Sequence, residues 1–386
     1  MRRLRVVPPG EGVLAELRTA IAGGDAILVA TNAALPAVAP DDLPGDVAQR
    51  IALVVETSGS TGRPKRVGIS ADALLANTAA SESTLGGPGQ WVLALPTHYI
   101  AGLNVLARSL AAETEPVAVA GGHFTAAAFL DAAQRMTHPA RFTSLVPAQL
   151  ATLLDDPDAT AALAGFTAVL VGGQATPRAV LERARNAGIR VRRSYGSSET
   201  SGGCVYDGIP IGTTTVRVVD GEVWLGGPSL ADGYVGDPTL TEERFVSDGG
   251  ARWFRTADGG VFDAGTLTIS GRRDDVLISG GVKVAVAAVE RLLREQPGLT
   301  DAVVVAVPDQ RWGEVPVAAT ASPVDGAATD RADADAAAAV AAELGVAARP
   351  ARIVHLDALP LLASGKVDRL AVRALLGGRG QPRKLG

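Results

Sequence analysis

The sequence predicts an α/β protein. A large N-terminal domain of helix-covered, largely parallel sheets carries a small β-barrel-like part, and a small α+β C-terminal domain follows. Three observations support this prediction. Short apolar runs first alternate with helical patterns, at the spacing of βαβ units. From about Gly212 the pattern changes to short β segments separated by Gly and Asp. After Asp274, helices and strands mix over about 110 residues, a usual domain size.

Apolar periodicity and capping residues predict the elements of the first part. The predicted helices are 12–22, 71–81 with Ser70 as the N-cap, 102–112, 125–136, 148–154 and 177–187. The predicted strands are 24–31, 50–56, 90–96, 115–121, 142–147, 166–173 and 189–196. Because helices and strands alternate with short connections, the strands are expected to run mainly in parallel.

The later parts have different patterns. Residues 214–227 and 252–271 predict a small antiparallel barrel or sheet. The last segment contains predicted helices at 286–296 and 333–344 and predicted strands at 301–309, 315–322 and 351–356. Its Ala/Asp-rich stretch, 324–339, is expected to be a surface loop that enters the second of these helices. We therefore predict an N-terminal domain of residues 1–273 and a mobile C-terminal domain of residues 274–386.

Composition excludes several classes of function. Hydrophobic residues make up 47% and charged residues 20% of the 386 positions, and the net charge is −5. This charge argues against a nucleic-acid or anionic-membrane partner. The single cysteine, Cys204, rules out a disulfide or a thiolate metal site within the chain, and a small buried or loop residue is its expected role. Without an apolar signal segment or an apolar run of about 18 residues, a cytoplasmic protein without membrane insertion is expected.

One stretch combines the groups that bind phosphate. An apolar strand runs directly into TSGSTGRPK, which brings together hydroxyls, glycines and one cation; these residues are Thr57, Ser58, Gly59, Ser60, Thr61, Gly62 and Lys65. A nucleoside-triphosphate loop of the Walker type is excluded, because Pro64 removes a backbone donor and disfavours a helix there. A Ser/Gly-rich surface turn between two strands is the alternative to a phosphate loop.

Other stretches carry isolated chemical groups. Glu199 follows a strand, where ligands of open α/β sheets bind, so it is a candidate Mg²⁺ ligand or a solvated loop residue. Asp258 suits a ribose diol or an ordinary Asp-Gly turn. The stretch GRRDDVLISGG contains Arg272, Asp274, Gly280 and Gly281, and SGKVDR contains Lys366. Each of these signals is weak when taken alone.

Taken together, five stretches resemble one family. TSGSTGRPK, YGSSET, WFRTAD, GRRDDVLISGG and SGKVDR occur in the order and spacing of the acyl-adenylate-forming enzymes: acyl- and aryl-CoA ligases, peptide-synthetase adenylation domains and firefly-type luciferases. The resemblance implies ATP, Mg²⁺ and coenzyme A, and a carboxylic acid activated as acyl-AMP. A nucleotide-binding protein without turnover is the distant alternative.

The resemblance also implies residue roles. Residues 57–65 become the phosphate loop, with Lys65 as its cation. Tyr195 and Gly196 lie against adenine, Ser198 contacts the α-phosphate, and Glu199 binds Mg²⁺. Asp258 binds the ribose hydroxyls with Arg272, Asp274 is the hinge, Gly280 and Gly281 receive coenzyme A, and Lys366 bridges the acyl carboxylate and the α-phosphate. The chain departs from the family at Ser198, usually threonine, at Ala257, often glycine, and in its short segment before Thr57.

A second set of stretches resembles one branch of the family. LPTHYIAGLNVLARSL, SLVPAQLATLL and LVGGQATP are similar to o-succinylbenzoate–CoA ligases of menaquinone biosynthesis. The acid-binding residues that this resemblance implies are His98, Arg108, Gly173 and Ser197. Arg108 would pair with the second carboxylate of the acid, since an unpaired buried charge costs several kcal/mol; a surface helix arginine is the alternative. Another aryl or acyl acid stays open as substrate, and a homo-oligomer is possible.

Overall fold

The computed structural model describes residues 1–31, 43–57, 64–121, 124–321, 328–362 and 367–377. These form two compact units. Unit 1 lies within residues 1–176, 180–256 and 262–268, and unit 2 within residues 177–179, 257–261 and 269–386. The predicted α/β class, with a large first part and a smaller α+β part at the end, is confirmed. The domain boundary between 273 and 274 stays a prediction.

Up to residue 272, nearly all elements belong to unit 1. The strands are β1 (Arg2–Val7), β2 (Ala26–Val29), β3 (Asp46–Val47), β4 (Ile51–Thr57), β5 (Lys65–Ser70), β6 (Gln90–Leu93), β7 (Val117–Ala118), β8 (Arg141–Leu145), β9 (Ala168–Gly172), β10 (Val191–Ser197), β11 (Gly202–Tyr206), β12 (Ile209–Pro210), β13 (Thr215–Val219), β14 (Glu222–Gly226), β15 (Gly233–Tyr234), β16 (Phe245–Asp248), β17 (Ala251–Asp263) and β18 (Thr266–Arg272). The helices are α1 (Val13–Ile21), α2 (Ala71–Leu85), α3 (Ile100–Ala111), α4 (Ala126–Gln134), α5 (Pro147–Leu154), α6 (Pro157–Ala164), α7 (Arg178–Asn186) and α8 (Pro238–Arg244).

Every helix and strand predicted for residues 12–196 is present, with ends shifted by a few residues. The Ser70 hydroxyl caps α2, accepting a hydrogen bond from the Ala73 amide at 3.1 Å, and α2 runs past the predicted end to Leu85. Strands β1 and β5 and helices α6 and α8 lie outside the predictions. The start of α6 carries an overlooked signal: Asp156 precedes Pro157, and its carboxylate accepts from two backbone amides.

Two sheets form the frame of unit 1. The first has the order β15-β5-β4-β2-β1-β3, and only its β1–β2 and β2–β4 pairs are parallel. The second has the order β12-β11-β10-β9-β8-β6-β7, and it is parallel from β10 to β7. The first sheet is mixed because β5 returns antiparallel to β4, with Thr57 opposite Lys65. The stretch that the sequence predicts to be a phosphate loop therefore connects the two strands of a β-hairpin. Strands β13, β14, β16, β17 and β18 form the smaller sheet.

Helices α2 and α3 contribute to the cores on both sheets. Leu74 and Leu103 pack in a cluster with β2, β4 and β5, whereas Leu85 and Val105 pack with β6, β8 and β9. This double burial explains why α3 is apolar around most of its circumference. Burying each such leucine contributes roughly 1.5–3 kcal/mol. Helices α4 and α5 cover the second sheet, where Phe129 and Leu150 are fully buried.

Unit 2 has its own sheet and core. Its strands and helices are β19 (Val276–Ser279), β20 (Val282–Ala285), α9 (Val286–Arg294), β21 (Val303–Asp309), β22 (Gly313–Thr320), α10 (Ala328–Leu344), β23 (Arg352–His355) and α11 (Arg369–Gly377). Val289, Val304 and Val340 bury their side chains between the sheet and helices α9 and α10. Helix α10 begins earlier than predicted, because its alanines favour helix. Within the described ranges, no helix is long and apolar enough to cross a membrane.

Gly102 allows α3 to approach the segment before it. A Cβ at this position would lie 2.3 Å from the Pro96 carbonyl oxygen and 2.8 Å from that of Leu95. We expect Gly102→Ala to lower the free energy of unfolding by about 2 kcal/mol, because a backbone contact cannot yield as a side chain can. Urea unfolding measures the effect. Ala101→Gly, at the neighbouring exposed position, should cost less than about 1 kcal/mol; equal stability of the wild type and Gly102→Ala would contradict the packing argument.

Candidate active site

The carboxyl end of β10 presents the first group of predicted residues. The strand ends at Ser197, a short 3₁₀ turn covers Ser198–Thr200, and Ser201 follows in the left-handed region at φ 54°. The Ser197 amide donates to the Thr200 hydroxyl at 3.0 Å, which closes the turn. Glu199 is half-buried at this edge of a parallel sheet, where ligands of such sheets bind.

Tyr234 contacts both Glu199 and Lys65. Its buried hydroxyl donates to Glu199 Oε1 at 2.9 Å, and Lys65 Nζ lies 5.9 Å from the centre of its ring. Burial, and then the Glu199 carboxylate, raise the pKa of Tyr234 far above that of an ordinary phenol, so its hydroxyl keeps its proton at neutral pH. Tyr234 was not predicted as a site residue. Lys65 begins β5, and Thr57 ends β4 opposite it.

Glycines shape the chain around Glu199. The register between β10 and β11 shifts at Tyr195 and Gly196, and Gly196 has φ +155°. A Cβ on Gly196 would lie 2.2 Å from the Gly202 carbonyl oxygen, and one on Gly203 would lie 1.9 Å from Ser194 Oγ. Only glycine permits the approach at position 196, because the atom it meets belongs to the backbone. The predicted adenine-contacting pair, Tyr195 and Gly196, therefore lies at a β-bulge, a feature that often occurs beside active sites.

Two buried asparagines, also absent from the predictions, hold the segment after Glu199. Asn104 Nδ2 in α3 donates to the Ser201 carbonyl at 2.9 Å, and Asn77 Nδ2 in α2 donates to the Gly203 carbonyl at 2.9 Å. Both side chains are almost fully buried. Burying an asparagine amide costs free energy unless the amide is hydrogen-bonded. An asparagine within an otherwise apolar helical stretch was therefore the sequence signal that could have indicated these two residues. The two helices thus fix the loop that carries Glu199.

Arg108 is a buried cation. Its side chain is only 4% exposed, its guanidinium carbon lies 4.9 Å from the Trp91 ring centre, and Nη2 donates to the Tyr206 hydroxyl at 3.3 Å. Among the described residues no carboxylate pairs with it, and its Nε has no hydrogen-bond partner. Burial lowers the pKa of Arg108. The surface-arginine alternative is therefore wrong.

The other predicted acid-binding residues lie apart in the sequence. His98 is half-buried before α3, with its ring centre 4.1 Å from that of Tyr99, and burial lowers the pKa of its imidazole. Gly173 follows β9 at φ +86°, and Ser197 Oγ is buried without a hydrogen-bond partner. In the described part of the chain, no hydrogen bond or ring contact joins His98 to Arg108 or Ser197. Their shared role stays a prediction.

Three predicted residues of unit 2 lie together. Arg272 Nε donates to Asp274 Oδ1 at 2.8 Å and lies 3.8 Å from Asp258 Oδ1. The residue before Asp258 is Ala257, a non-glycine at φ +61°. This backbone conformation explains why glycine is often found there in the family that the sequence resembles. Arg272 is thus placed beside Asp258, as the resemblance implies, although the nucleotide role of both residues stays a prediction.

Gly280 and Gly281 form the turn between β19 and β20. Both have positive φ, +56° and +81°, as a two-residue type I′ hairpin turn requires. A Cβ on Gly280 would lie 2.5 Å from the Trp312 ring, whereas nothing lies within 4 Å of one on Gly281. The remaining predicted residues, Ser58, Gly59, Ser60, Thr61, Gly62 and Lys366, lie outside the described residues.

Comparison with known proteins identifies the family. The model of the AMP-binding enzyme family matches residues 17–235, and the model of the AMP-binding enzyme C-terminal domain matches residues 288–366. The chain belongs to the AMP-binding enzyme family. A relative from Mycobacterium tuberculosis, called a probable 2-succinylbenzoate–CoA ligase, is 41% identical over 381 residues, which cover 96% of this chain and 97% of the relative.

Another relative and two solved structures are also similar to this chain. The 2-succinylbenzoate–CoA ligase of Salmonella typhimurium is 35% identical over 280 residues, covering 70% of this chain and 58% of the relative. A solved variant of Escherichia coli MenE with bound OSB-AMS matches with a TM-score of 0.77 at 25% identity, over 98% of this chain and 88% of that one. The o-succinylbenzoate CoA synthetase of Bacillus subtilis, solved with OSB-AMP, has the same fold at 22% identity, with a TM-score of 0.73 over 100% and 90% of the two chains.

The described residues suit a cation whose ligands come mainly from phosphate groups. They contain no cluster of three or more potential metal ligands. A Mg²⁺ ion with ATP needs only one or two carboxylates, because phosphates and water supply its other ligands. Glu199 meets this requirement: its Oε2 accepts no hydrogen bond from the described part of the chain, and Tyr234 occupies only Oε1.

Cys204 is expected to be chemically inert. Burial raises the pKa of its thiol to about 12, so only about one molecule in 10⁴ carries the thiolate at pH 8. An aromatic disulfide reagent should release less than a tenth of one equivalent of thiolate quickly from the native protein and one full equivalent after unfolding in guanidinium. Between pH 7 and 9 the slow native reaction should accelerate with pH without reaching a plateau. A fast stoichiometric reaction at pH 7 would show that the thiol is accessible.

Proposed function

We propose that this chain is a cytoplasmic, ATP-dependent ligase that converts 2-succinylbenzoate (o-succinylbenzoate) to its CoA ester through an acyl-AMP intermediate, in menaquinone biosynthesis. One observation carries the proposal: the 41% identity to the mycobacterial relative covers nearly the whole of both chains. ATP and coenzyme A are the co-substrates that this similarity implies. The geometry of unit 1 supports the proposal at two places, the Glu199 turn and the Arg108 cation.

Arg108 supports a substrate with two carboxylates. Activation consumes one carboxylate of 2-succinylbenzoate, and the aromatic carboxylate needs a counter-charge when it is buried. Arg108 is buried, carries no carboxylate partner within the described residues, and has an unpartnered Nε. A planar guanidinium forms paired hydrogen bonds with a carboxylate. His98, Gly173 and Ser197 complete the acid site in this proposal.

The nucleotide site uses several residues of this chain. Thr57, Lys65 and the loop between them bind the phosphates of ATP, and Ser198 contacts the α-phosphate. Tyr195 and Gly196 hold the adenine, and Asp258 with Arg272 holds the ribose. Glu199 would hold Mg²⁺, which would neutralise phosphate charge. Lys65 and Lys366 add positive charge where negative charge increases during attack of the acid on the α-phosphate, which lowers the barrier to adenylation.

The second half-reaction requires different groups. Coenzyme A attacks the acyl carbon, AMP leaves, and Lys366 has no role in this step. We propose that the domain of residues 274–386 rotates about Asp274 between the two half-reactions. After this rotation, Gly280 and Gly281 receive the pantetheine arm of coenzyme A. The open space around the Cβ position of Gly281 supports this role. Such rigid-body motions allow one protein to catalyse two unlike steps.

A substrate panel tests the proposal directly. CoA-ester formation is measured with 2-succinylbenzoate, benzoate, succinate and medium-chain fatty acids at equal concentrations. We expect kcat/KM for 2-succinylbenzoate to exceed the others at least a hundred-fold. A preference for a monocarboxylic acid would keep the ligase chemistry but reject this substrate. If no acid releases pyrophosphate from ATP, the proposed activity itself is rejected.

Substitution of Arg108 tests the acid site. We expect Arg108→Met to raise KM for 2-succinylbenzoate roughly ten- to a hundred-fold, through loss of a charge-assisted pair worth about 1.4–3 kcal/mol, while KM for ATP changes little. Methionine preserves apolar volume beside Trp91. The matched control, Tyr206→Phe, removes the hydroxyl partner of Arg108 but keeps its charge, and it should change the acid KM by only a few-fold. An unaltered acid KM in Arg108→Met would remove Arg108 from the substrate site.

Two substitutions separate the half-reactions. Lys366→Ala should slow pyrophosphate release about 10²–10³-fold, because it removes a preorganised cation, yet convert supplied acyl-AMP and CoA to thioester at a normal rate. Gly281→Leu should form acyl-AMP normally and stall before the thioester. Gly298→Leu is the control for backbone strain, since Gly298 also has positive φ, +77°, with open space around it. Equal slowing of both half-reactions by each substitution would argue for one static site.

A further inference from the structure

We propose that Tyr234 is the positioning residue for Glu199: its hydroxyl orients the carboxylate toward the cation of the ATP complex and keeps it apart from Lys65. This inference rests on the proposed function, in which Glu199 binds the cation. It concerns a residue that the motif resemblance does not include. The geometry behind it lies entirely within unit 1.

Tyr234 is held in place on several sides. Strand β15 pairs antiparallel with β5, with Tyr234 opposite Val67, and the Tyr234 amide donates to the Thr241 hydroxyl at 2.8 Å. Its ring meets the Phe245 ring edge to face at 5.8 Å. Gly233 has φ +142°, and a Cβ there would lie 2.3 Å from Thr241 Cγ2. A phenol fixed in this way loses little further freedom when it forms its hydrogen bond.

The same short segment holds Glu199 at two points. The Ala231 amide donates to the Glu199 backbone carbonyl at 2.9 Å, and the Tyr234 hydroxyl donates to the side-chain Oε1 at 2.9 Å. A glutamate side chain has three rotatable bonds, so an exposed carboxylate would sample many positions. The hydrogen bond at Oε1 selects one of them and leaves Oε2 as the free oxygen. Partners of this kind commonly orient metal-binding carboxylates.

The tyrosine also separates two opposite charges. Lys65 Nζ lies 5.9 Å from the centre of the Tyr234 ring, while Glu199 is bonded to the hydroxyl of that ring. In the residues that the structure describes, Lys65 and Glu199 form no ion pair. A direct pair would neutralise both groups before ATP binds. Attraction to the Tyr234 ring holds the Lys65 ammonium, which stays available for phosphate. The hydrogen bond from the Tyr234 hydroxyl holds the Glu199 carboxylate, which stays available for the cation.

Manganese binding provides a direct test that does not require turnover. Mn²⁺ replaces Mg²⁺, and its affinity is measured by electron paramagnetic resonance on the full chain saturated with a non-hydrolysable ATP analogue. We expect Tyr234→Phe to weaken Mn²⁺ binding about ten-fold, the usual effect of removing a partner of a metal ligand. Tyr206→Phe, which removes another buried and hydrogen-bonded phenol hydroxyl, should leave Mn²⁺ affinity unchanged. Thermal unfolding of each variant confirms that it is folded.

A double substitution distinguishes positioning from general damage. Glu199→Gln should weaken Mn²⁺ binding strongly, and adding Tyr234→Phe to it should cause little further loss, because the tyrosine acts through the carboxylate. Additive losses, or unchanged Mn²⁺ affinity in folded Tyr234→Phe, would overturn the inference while leaving the proposed ligase intact. Unchanged affinity in Glu199→Gln would instead remove Glu199 from the cation site, and the proposed role of Glu199 would fail with it.

Discussion

The pairing of β5 with two other strands is the constraint on which the candidate site depends. On one side β5 pairs with β4, which places Thr57 opposite Lys65 and closes the hairpin of the predicted phosphate loop. On the other side it pairs with β15, which places Tyr234 opposite Val67 and close to the Lys65 ammonium. Backbone hydrogen bonds thereby bring three segments together before any ligand is present. A cross-strand ion pair between Arg66 and Glu56, at 3.0 Å, supports the hairpin close to its loop.

Buried polar groups form a second layer of organisation behind this edge. Asn77, Asn104 and Arg108 come from two helices whose other faces lie in apolar cores. Each group costs free energy to bury, and hydrogen bonding recovers only part of that cost. The asparagine amides recover it by holding the loop after Glu199, whereas the partners of the Arg108 cation among the residues that the structure describes are a hydroxyl and an aromatic ring. In the proposed function, the substrate carboxylate supplies the missing charge.

Much of the fold was predictable because its signals are local. Apolar periodicity predicted the alternating helices and strands of residues 12–196, and Ser70 caps α2 as the sequence predicts. Strand β1 was missed because charged residues interrupt its apolar pattern, and β5 because it adjoins a loop-like stretch. Helix α10 was placed too late, since its first turns are rich in Asp as well as Ala.

For function, the sequence by itself determined which chemical groups are available and in what order: a hydroxyl- and glycine-rich loop, a carboxylate after a strand, and a late lysine. These motifs are contiguous, so they are visible without a structure. Only the tertiary structure decided that Tyr234, 35 residues from Glu199 in the chain, bonds to its carboxylate. It also decided that Arg108 is buried between Trp91 and Tyr206, which come from different strands. Burial and charge pairing depend on distant segments meeting, and no local pattern encodes that meeting.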